Sequence, residues 1–178
     1  MSVATHDDWE SRLDVAWAAL DGYGEDRAAE FRALIDGLVA ELPAGSAIGA
    51  FERACAFDST GHSDRAVPLY REALESESNP LTGIRRRRAV IQMASSLRNL
   101  GRATESVDLL TAELAAEPPH PTDGLDDAVA CVLALALTDV GREREAVSVA
   151  VGALARHLPR YQRSMANYAR TLVETGGT

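Results

Sequence analysis

The chain has 178 residues, 27 of them acidic and 18 basic, which gives a formal net charge of −9. A surface of this charge repels a phosphate backbone, so the composition disfavours a general nucleic-acid-binding protein. Apolar residues make up 46% of the chain and aromatic residues only 5%, and much of the apolar fraction is alanine, which favours closely packed helices over a bulky β core.

The first predicted elements are two amphipathic helices. Asp7 or Asp8 can cap the first helix, whose apolar residues recur at three- and four-residue spacings. The second helix is predicted to begin near Glu25 and to end before Pro43. Because this pair lacks the glycine spacing of the rest of the chain, we interpret residues 7–45 as a degenerate N-terminal hairpin.

Three glycines spaced 40 residues apart organise the rest of the chain: Gly61, Gly101 and Gly141. An alanine precedes each by seven residues, a large apolar residue precedes each by four, and a small residue follows each by five. Each glycine fits the left-handed position that ends a helix, so each period is predicted to be a helical hairpin. The predicted repeats occupy residues 46–80, 81–121 and 122–158.

A last helix is predicted within residues 159–175. Its apolar residues share one side, and we interpret it as a C-terminal cap that shields the last hairpin. Cys55 and Cys131 both lie in apolar helical patterns, so we expect two free buried thiols and a reducing compartment.

This pattern of small residues, a glycine turn and a closing proline resembles the tetratricopeptide repeat family. In the first repeat the matching residues are Ala54, Phe57, Gly61, Ala66, Tyr70, Ala73 and Pro80. Two residues depart from the family's pattern: Glu113 stands where the family prefers alanine, and Ala150 replaces a large residue. The phrase at 92–102 resembles a short bacterial subgroup, and the 40-residue period exceeds the usual one of about 34.

The resemblance implies an all-α fold, a right-handed α-α superhelix of about nine helices that forms one domain over residues 1–178. In such arrays the first helix of each hairpin lines a concave groove that binds a protein or peptide. The lining residues that the resemblance implies are Phe51, Cys55, Asp58, Arg88, Ile91, Ser95, Arg98, Asn99, Leu135 and Asp139.

Two interpretations of the polar middle repeat stay open. Its arginines, serine and asparagine could grip a carboxylate or an acidic segment, beside apolar pockets formed by residues such as Ile91 and Leu135. Alternatively, Arg98 bridges neighbouring helices through Asp58 or Asp139, and we weigh this structural role above ligand binding because buried charges are normally paired.

Arg85 to Arg88 form the one dense run of charge, at the start of a helix. Four consecutive residues spread around a helix, so we expect a solvated helix start rather than a phosphate or nucleic-acid patch. Positive charge is unfavourable at this end of the helix dipole, which argues mildly for an acidic partner or for acidic neighbours such as Glu75 and Glu77.

The sequence offers no recognisable chemistry. The four histidines are widely separated, without a second ligand at metal-site spacing, and no phosphate-binding loop or nucleophile motif is present. We therefore expect no enzyme, no cofactor and no metal. We also see no apolar run that could span a bilayer and no signal-peptide pattern, so we expect a cytoplasmic protein without membrane association.

These observations predict a non-catalytic scaffold or adaptor that binds another protein or a peptide through a helical groove. One alternative is a self-associating or small-molecule-sensing regulator, in which Trp9, Trp17, Tyr161 or Tyr168 supplies a homodimer face or a pocket. Another is an accessory subunit of an enzyme.

Overall fold

The computed structural model describes residues 3–116 and 124–174, with side chains described from residue 7 onward. Within these ranges the chain forms nine α-helices, one short 3₁₀ turn at Leu20–Gly22 and no strand, so the predicted all-α fold is confirmed. The helices are α1 (Val3–Ala18), α2 (Ala28–Val39), α3 (Ala47–Asp58), α4 (Ser63–Glu75), α5 (Gly83–Asn99), α6 (Ala103–Ala115), α7 (Asp126–Asp139), α8 (Glu143–Ala155) and α9 (Gln162–Glu174).

The chain divides into two compact units, Met1–Leu81 and Thr82–Thr178. The first unit contains α1 to α4 and the second contains α5 to α9. The single-domain organisation and the right-handed superhelical stacking stay predictions. The predicted loop at 118–123 lies outside the described residues.

The core of the N-terminal pair forms around aromatic rings of α1 and α2. Trp9 is fully buried, and its indole Nε1 donates to the carbonyl oxygen of Leu38 at 2.8 Å. Trp17 packs edge-on against Phe31, with ring centroids 5.1 Å apart. Because one side of α1 is apolar at helical spacing, these rings dock the helix onto α2.

The start of α1 corrects the predicted capping. The helix begins at Val3, so Asp7 and Asp8 lie inside it rather than before it. The physical reason is that none of the residues just before Asp7 is a proline or glycine that would stop a helix from extending upstream. The second helix is also shorter than predicted: it begins at Ala28 and ends at Val39.

The three glycine turns have the conformation that their spacing predicts. The φ angles of Gly61, Gly101 and Gly141 are 79°, 74° and 74°. At each turn the residue after the glycine donates its amide to a carbonyl five residues back, and the glycine donates to one three residues back. This pair of bonds closes a helix with a left-handed residue and satisfies carbonyls that would otherwise lack partners. The prediction of three glycine-closed helix ends is confirmed.

The second unit packs through small and branched residues of α5 to α8. Its buried cluster includes Ala94, Val107, Leu110, Val129 and Leu133. The last helix, α9, lies on α8, where the Ser148 hydroxyl donates to the carbonyl oxygen of Ala169 at 2.7 Å. Ala169 is buried at this contact, while the tyrosines of the C-terminal segment are exposed. The contact between α8 and α9 therefore depends on small residues rather than on aromatic rings.

Alanine substitutions at two glycines inside helices should change the free energy of unfolding in opposite directions. A Cβ at Gly49 would lie 2.8 Å from Val39 Cγ1, whereas a Cβ at Gly152 would meet nothing within 4 Å. We expect Gly49→Ala to lower the free energy of unfolding by about 1 kcal/mol, because the clash exceeds the gain in helix propensity. We expect Gly152→Ala to raise it by about 0.5–1 kcal/mol. Urea denaturation of the two variants measures both changes, and stabilisation by both would contradict the close packing of α2 against α3.

Candidate functional site

The predicted groove residues of the first unit are divided between core and surface. Phe51 and Cys55 are buried: the Phe51 ring lies 6.3 Å from the ring of Tyr70, and the Tyr70 hydroxyl donates to Cys55 Sγ at 3.7 Å. The prediction that these two side chains line a binding surface is therefore wrong. The reason is that both lie on the side of α3 that faces Tyr70 in α4. Asp58 is half-buried and accepts a hydrogen bond from the same Tyr70 hydroxyl at 3.4 Å.

The buried phenol of Tyr70 makes the stability of this hairpin depend on pH in the alkaline range. Burial, followed by the neighbouring Cys55 and Asp58, raises the pKa of the Tyr70 phenol far above its ordinary value. In the unfolded chain the phenol loses its proton above about pH 10, while the folded protein keeps it, so the unfolded state binds fewer protons and stability falls as pH rises. We expect a loss of about 1.4 kcal/mol per pH unit above that point, relative to Tyr70→Phe. Urea denaturation of both proteins on either side of that pH measures it, and parallel pH profiles would contradict it.

The predicted residues of the second unit lie on the surfaces of α5 and α7, two helices in contact with each other. We call this surface the α5–α7 face. Asn99 and Arg88 are exposed on α5, and Leu135 is 52% exposed on α7. The remaining predicted residues of this face, half-buried or exposed, are Ile91, Ser95, Arg98 and Asp139. Polar donors and apolar side chains are thus both accessible here.

Arg98 joins the two helices of this face. Its Nε forms an ion pair with Asp139 Oδ2, with both side chains partly accessible to solvent. The sequence offers Asp58 and Asp139 as partners for a structural bridge by Arg98, and the observed partner is Asp139. The pair brings α5 and α7 together near their C-terminal ends, and a ligand at Arg98 would meet an arginine that already has a carboxylate partner.

The arginine run at the start of α5 is solvated only in part, which corrects the predicted solvated helix start. Arg87 is only 4% exposed, with its Nε 3.4 Å from Glu113 Oε1 and its Nη2 paired with Asp126. Arg86 Nη1 also donates to Glu113, at 3.0 Å. We call Arg86, Arg87, Glu113 and Asp126 the Arg87 cluster. Because consecutive residues spread around a helix, one of the four arginines has to point inward.

Glu113 is the residue of this cluster that the repeat pattern marks as unusual. It occupies the position where the family prefers alanine, and it is buried in α6 against two arginines. Its departure from the repeat pattern is therefore an electrostatic compensation for Arg87. Glu113 and Asp126 are thus two acidic neighbours of the arginine run.

The four aromatic residues proposed for a dimer face or a pocket differ in their exposure. Trp9 is fully buried and the Trp17 Nε1 donates to the buried carboxylate of Glu52 at 2.8 Å, so neither tryptophan offers a free dimer face. Tyr161 and Tyr168 are exposed. Cys55 is buried as expected, but Cys131 is exposed on α7, because its position faces away from the core. Neither cysteine forms a disulfide within the described residues.

Among the described residues, no group of three histidine, cysteine, aspartate or glutamate side chains is placed to hold a metal ion. None of the helices in the described ranges has the length and apolar character needed to cross a membrane.

Glycine-closed helical hairpins packed through small residues define a helical-repeat protein. A family model described as tetratrico peptide repeat matches residues 47–172, and the chain belongs to the tetratricopeptide repeat family. Members of this family serve generally as non-enzymatic modules for protein–protein interaction. Comparisons with curated proteins and with solved structures find no match for the chain. The assignment to a short bacterial subgroup stays a prediction.

Proposed function

We propose that this chain is a non-catalytic, cytoplasmic scaffold that binds another protein or a peptide through the α5–α7 face. The observation that carries the proposal is Leu135, a large apolar side chain left 52% exposed on the helix that contacts α5. An interface typically has an apolar centre with a polar rim, and Leu135 together with the polar side chains of the face offers both kinds of contact. Cys55 and Cys131 are both thiols rather than disulfide partners, in keeping with a reducing compartment.

The polar side chains of α5 indicate what kind of segment would bind. Arg88 is a guanidinium on the exposed side of the helix, and the Asn99 amide is exposed near its end. Guanidinium and amide N–H groups donate to carboxylates and to peptide carbonyls. We therefore propose a peptide with an apolar anchor for Ile91 and Leu135 and with an acidic residue close to that anchor.

A peptide array tests this proposal. The full chain is screened against synthetic peptides in matched acidic and amide versions, and bound peptides are measured with the variants Leu135→Ser and Leu114→Ser. Both leucines are partly exposed, but Leu114 lies on α6, outside the α5–α7 face, so it is a matched control. We expect Leu135→Ser to weaken binding about tenfold and Leu114→Ser to leave it unchanged.

Two results would contradict the proposal. One is an array without any binder together with tight binding of a metabolite, and the other is equal loss in both leucine variants. The alternative function, a self-associating or ligand-sensing regulator, is favoured by the exposure of Tyr161 and Tyr168. Light scattering over a range of concentrations tests self-association, because a concentration-independent monomer rules it out.

A further inference from the structure

A second accessible surface of the Thr82–Thr178 unit lies where α8 ends and α9 begins. An open cleft of about 680 Å³ is lined there by apolar side chains, with Arg160 at its edge. We call it the α8–α9 cleft. Leu154 is 58% exposed and Tyr168 is 61% exposed, while Met165 in the same lining is half-buried. Two large apolar side chains that line one cleft are therefore exposed to water, and an apolar surface rimmed by polar residues is typical of an interaction site.

Tyr161 is the most unusual residue of the cleft. Its φ angle is 69°, and it is the one non-glycine residue with positive φ in the described part of the chain. A bulky side chain is strained in this region, where glycine is not. The Tyr161 carbonyl oxygen accepts from the Met165 amide at 2.9 Å and from the Ser164 hydroxyl at 3.0 Å, which holds this backbone at the start of α9, while the side chain is 73% exposed. The backbone at the start of α9 therefore keeps an exposed ring in the lining of the cleft, where a bound molecule would contact it.

The edge of the cleft is basic although the chain is acidic. A neighbouring depression shares Arg160, Tyr161 and Ser164 with the cleft and adds Arg163 and Arg170. Arg170 pairs with Glu174, whereas neither Arg160 nor Arg163 has an ion-pair partner among residues 3–116 and 124–174. Two unpaired guanidinium groups thus border an apolar surface on a chain of net charge −9.

This charge distribution identifies the kind of occupant. A second copy docked symmetrically through the cleft would place the same arginines against each other, with Glu174 as the one carboxylate that α9 provides. An acidic segment would instead pair its carboxylates with Arg160 and Arg163. Complementary charge therefore favours an acidic partner over a symmetric dimer.

We propose that the α8–α9 cleft docks an acidic amphipathic segment of a partner protein. The apolar side chains of the segment pack on Leu154, Met165 and Tyr168, the Tyr161 ring covers their edge, and its carboxylates pair with the two arginines. Anchors at i, i+3, i+4 and i+7 of a helix fit an apolar cleft of this kind. The site is distinct from the α5–α7 face and independent of it.

The test uses the full chain and a synthetic helical peptide that carries glutamates on one face and Leu and Trp at i, i+3, i+4 and i+7 on the other. A second peptide replaces every glutamate with glutamine. Isothermal titration calorimetry compares the chain with the double variant Arg160→Glu/Arg163→Glu, with Leu154→Ser and with Arg65→Glu. Arg65 is an exposed arginine on α4 without an ion-pair partner among the described residues, so it matches the charge change outside the cleft.

We expect the glutamate peptide to bind the unmodified chain, and to bind about tenfold more weakly to the double variant and to Leu154→Ser. The glutamine peptide should bind about tenfold more weakly, and added salt should weaken the glutamate peptide. Arg65→Glu and Leu135→Ser should bind like the unmodified chain. Tyr161→Gly should weaken binding while its Tm stays equal or rises, because glycine removes the backbone strain but also the ring.

The proposal is overturned if the glutamate peptide does not bind, if both peptides bind equally, or if Arg65→Glu weakens binding as much as the cleft variants. It is also overturned if light scattering shows a dimer that Leu154→Ser dissociates, since the occupant would then be a second copy. Loss of binding in Leu135→Ser alone would assign the peptide to the α5–α7 face and would overturn the cleft as its site.

Discussion

Glu113→Ala should lower the free energy of unfolding by about 3 kcal/mol, although it restores the residue that the repeat family prefers at this position. Arg87 is buried, and Glu113, itself buried, pairs with it in the Arg87 cluster. Removing that partner leaves the buried guanidinium with less compensating negative charge, and the Asp126 side chain that also pairs with it is itself half exposed. Breaking a buried pair by removing one partner costs far more than breaking an exposed one.

Urea denaturation followed by circular dichroism measures this loss. Glu105→Ala is the matched control, because Glu105 lies on the same helix and pairs with Arg102 at the surface, where the expected loss is below about 1 kcal/mol. The double variant Arg87→Met/Glu113→Ala should recover most of the stability, since it removes the buried charge together with its partner. Equal losses for Glu113→Ala and Glu105→Ala would contradict the burial of the cluster.

Trp9→Ala should destabilise the first unit by about 4 kcal/mol. The indole is fully buried between α1 and α2, and it satisfies the carbonyl of Leu38 near the end of α2. Truncation to alanine therefore leaves a cavity as well as a carbonyl without that donor. Val15→Ala, on the exposed side of the same helix, should change stability by no more than about 0.5 kcal/mol.

Trp9→Ala and Val15→Ala also test the alternative function, a self-associating regulator. If Trp9 belonged to a dimer face, Trp9→Ala would leave the monomer's stability nearly unchanged and would shift the light-scattering mass instead. We expect a large loss of stability with an unchanged mass. A stability loss below about 1 kcal/mol together with a change in the light-scattering mass would instead show that Trp9 lies on the surface, in a dimer face.

The fold could be predicted from the sequence because its signals are local. A left-handed glycine constrains only the few residues around it, so Gly61, Gly101 and Gly141 announce three helix ends without knowledge of the tertiary structure. The alternation of small and large residues around them is likewise a property of one hairpin. Positions such as Leu135 and Asn99 could be assigned to an accessible face for the same reason, from helical spacing and the resemblance.

The side chains that were predicted wrongly depend on partners far away in the chain. Arg87 pairs with Asp126, 39 residues further on, and Arg86 pairs with Glu113, 27 residues further on. A charge run considered alone is polar, and its most probable environment is water. The predicted exposure of Phe51 and Cys55 is wrong for a similar reason. The spacing along α3 identifies a helix face but does not show that Tyr70 of α4 covers it.

The Arg87 cluster limits how far the hairpins of this chain can be treated as exchangeable modules. In a repeat array built from consensus units, any hairpin can replace any other, because each contributes the same contacts to its neighbours. Here one ionic network connects α5, α6 and α7, so the second hairpin depends on a carboxylate that the third one supplies. A chimera that exchanges the second hairpin alone would leave Asp126 without its arginine, and a consensus hairpin inserted before α7 would need that position changed as well.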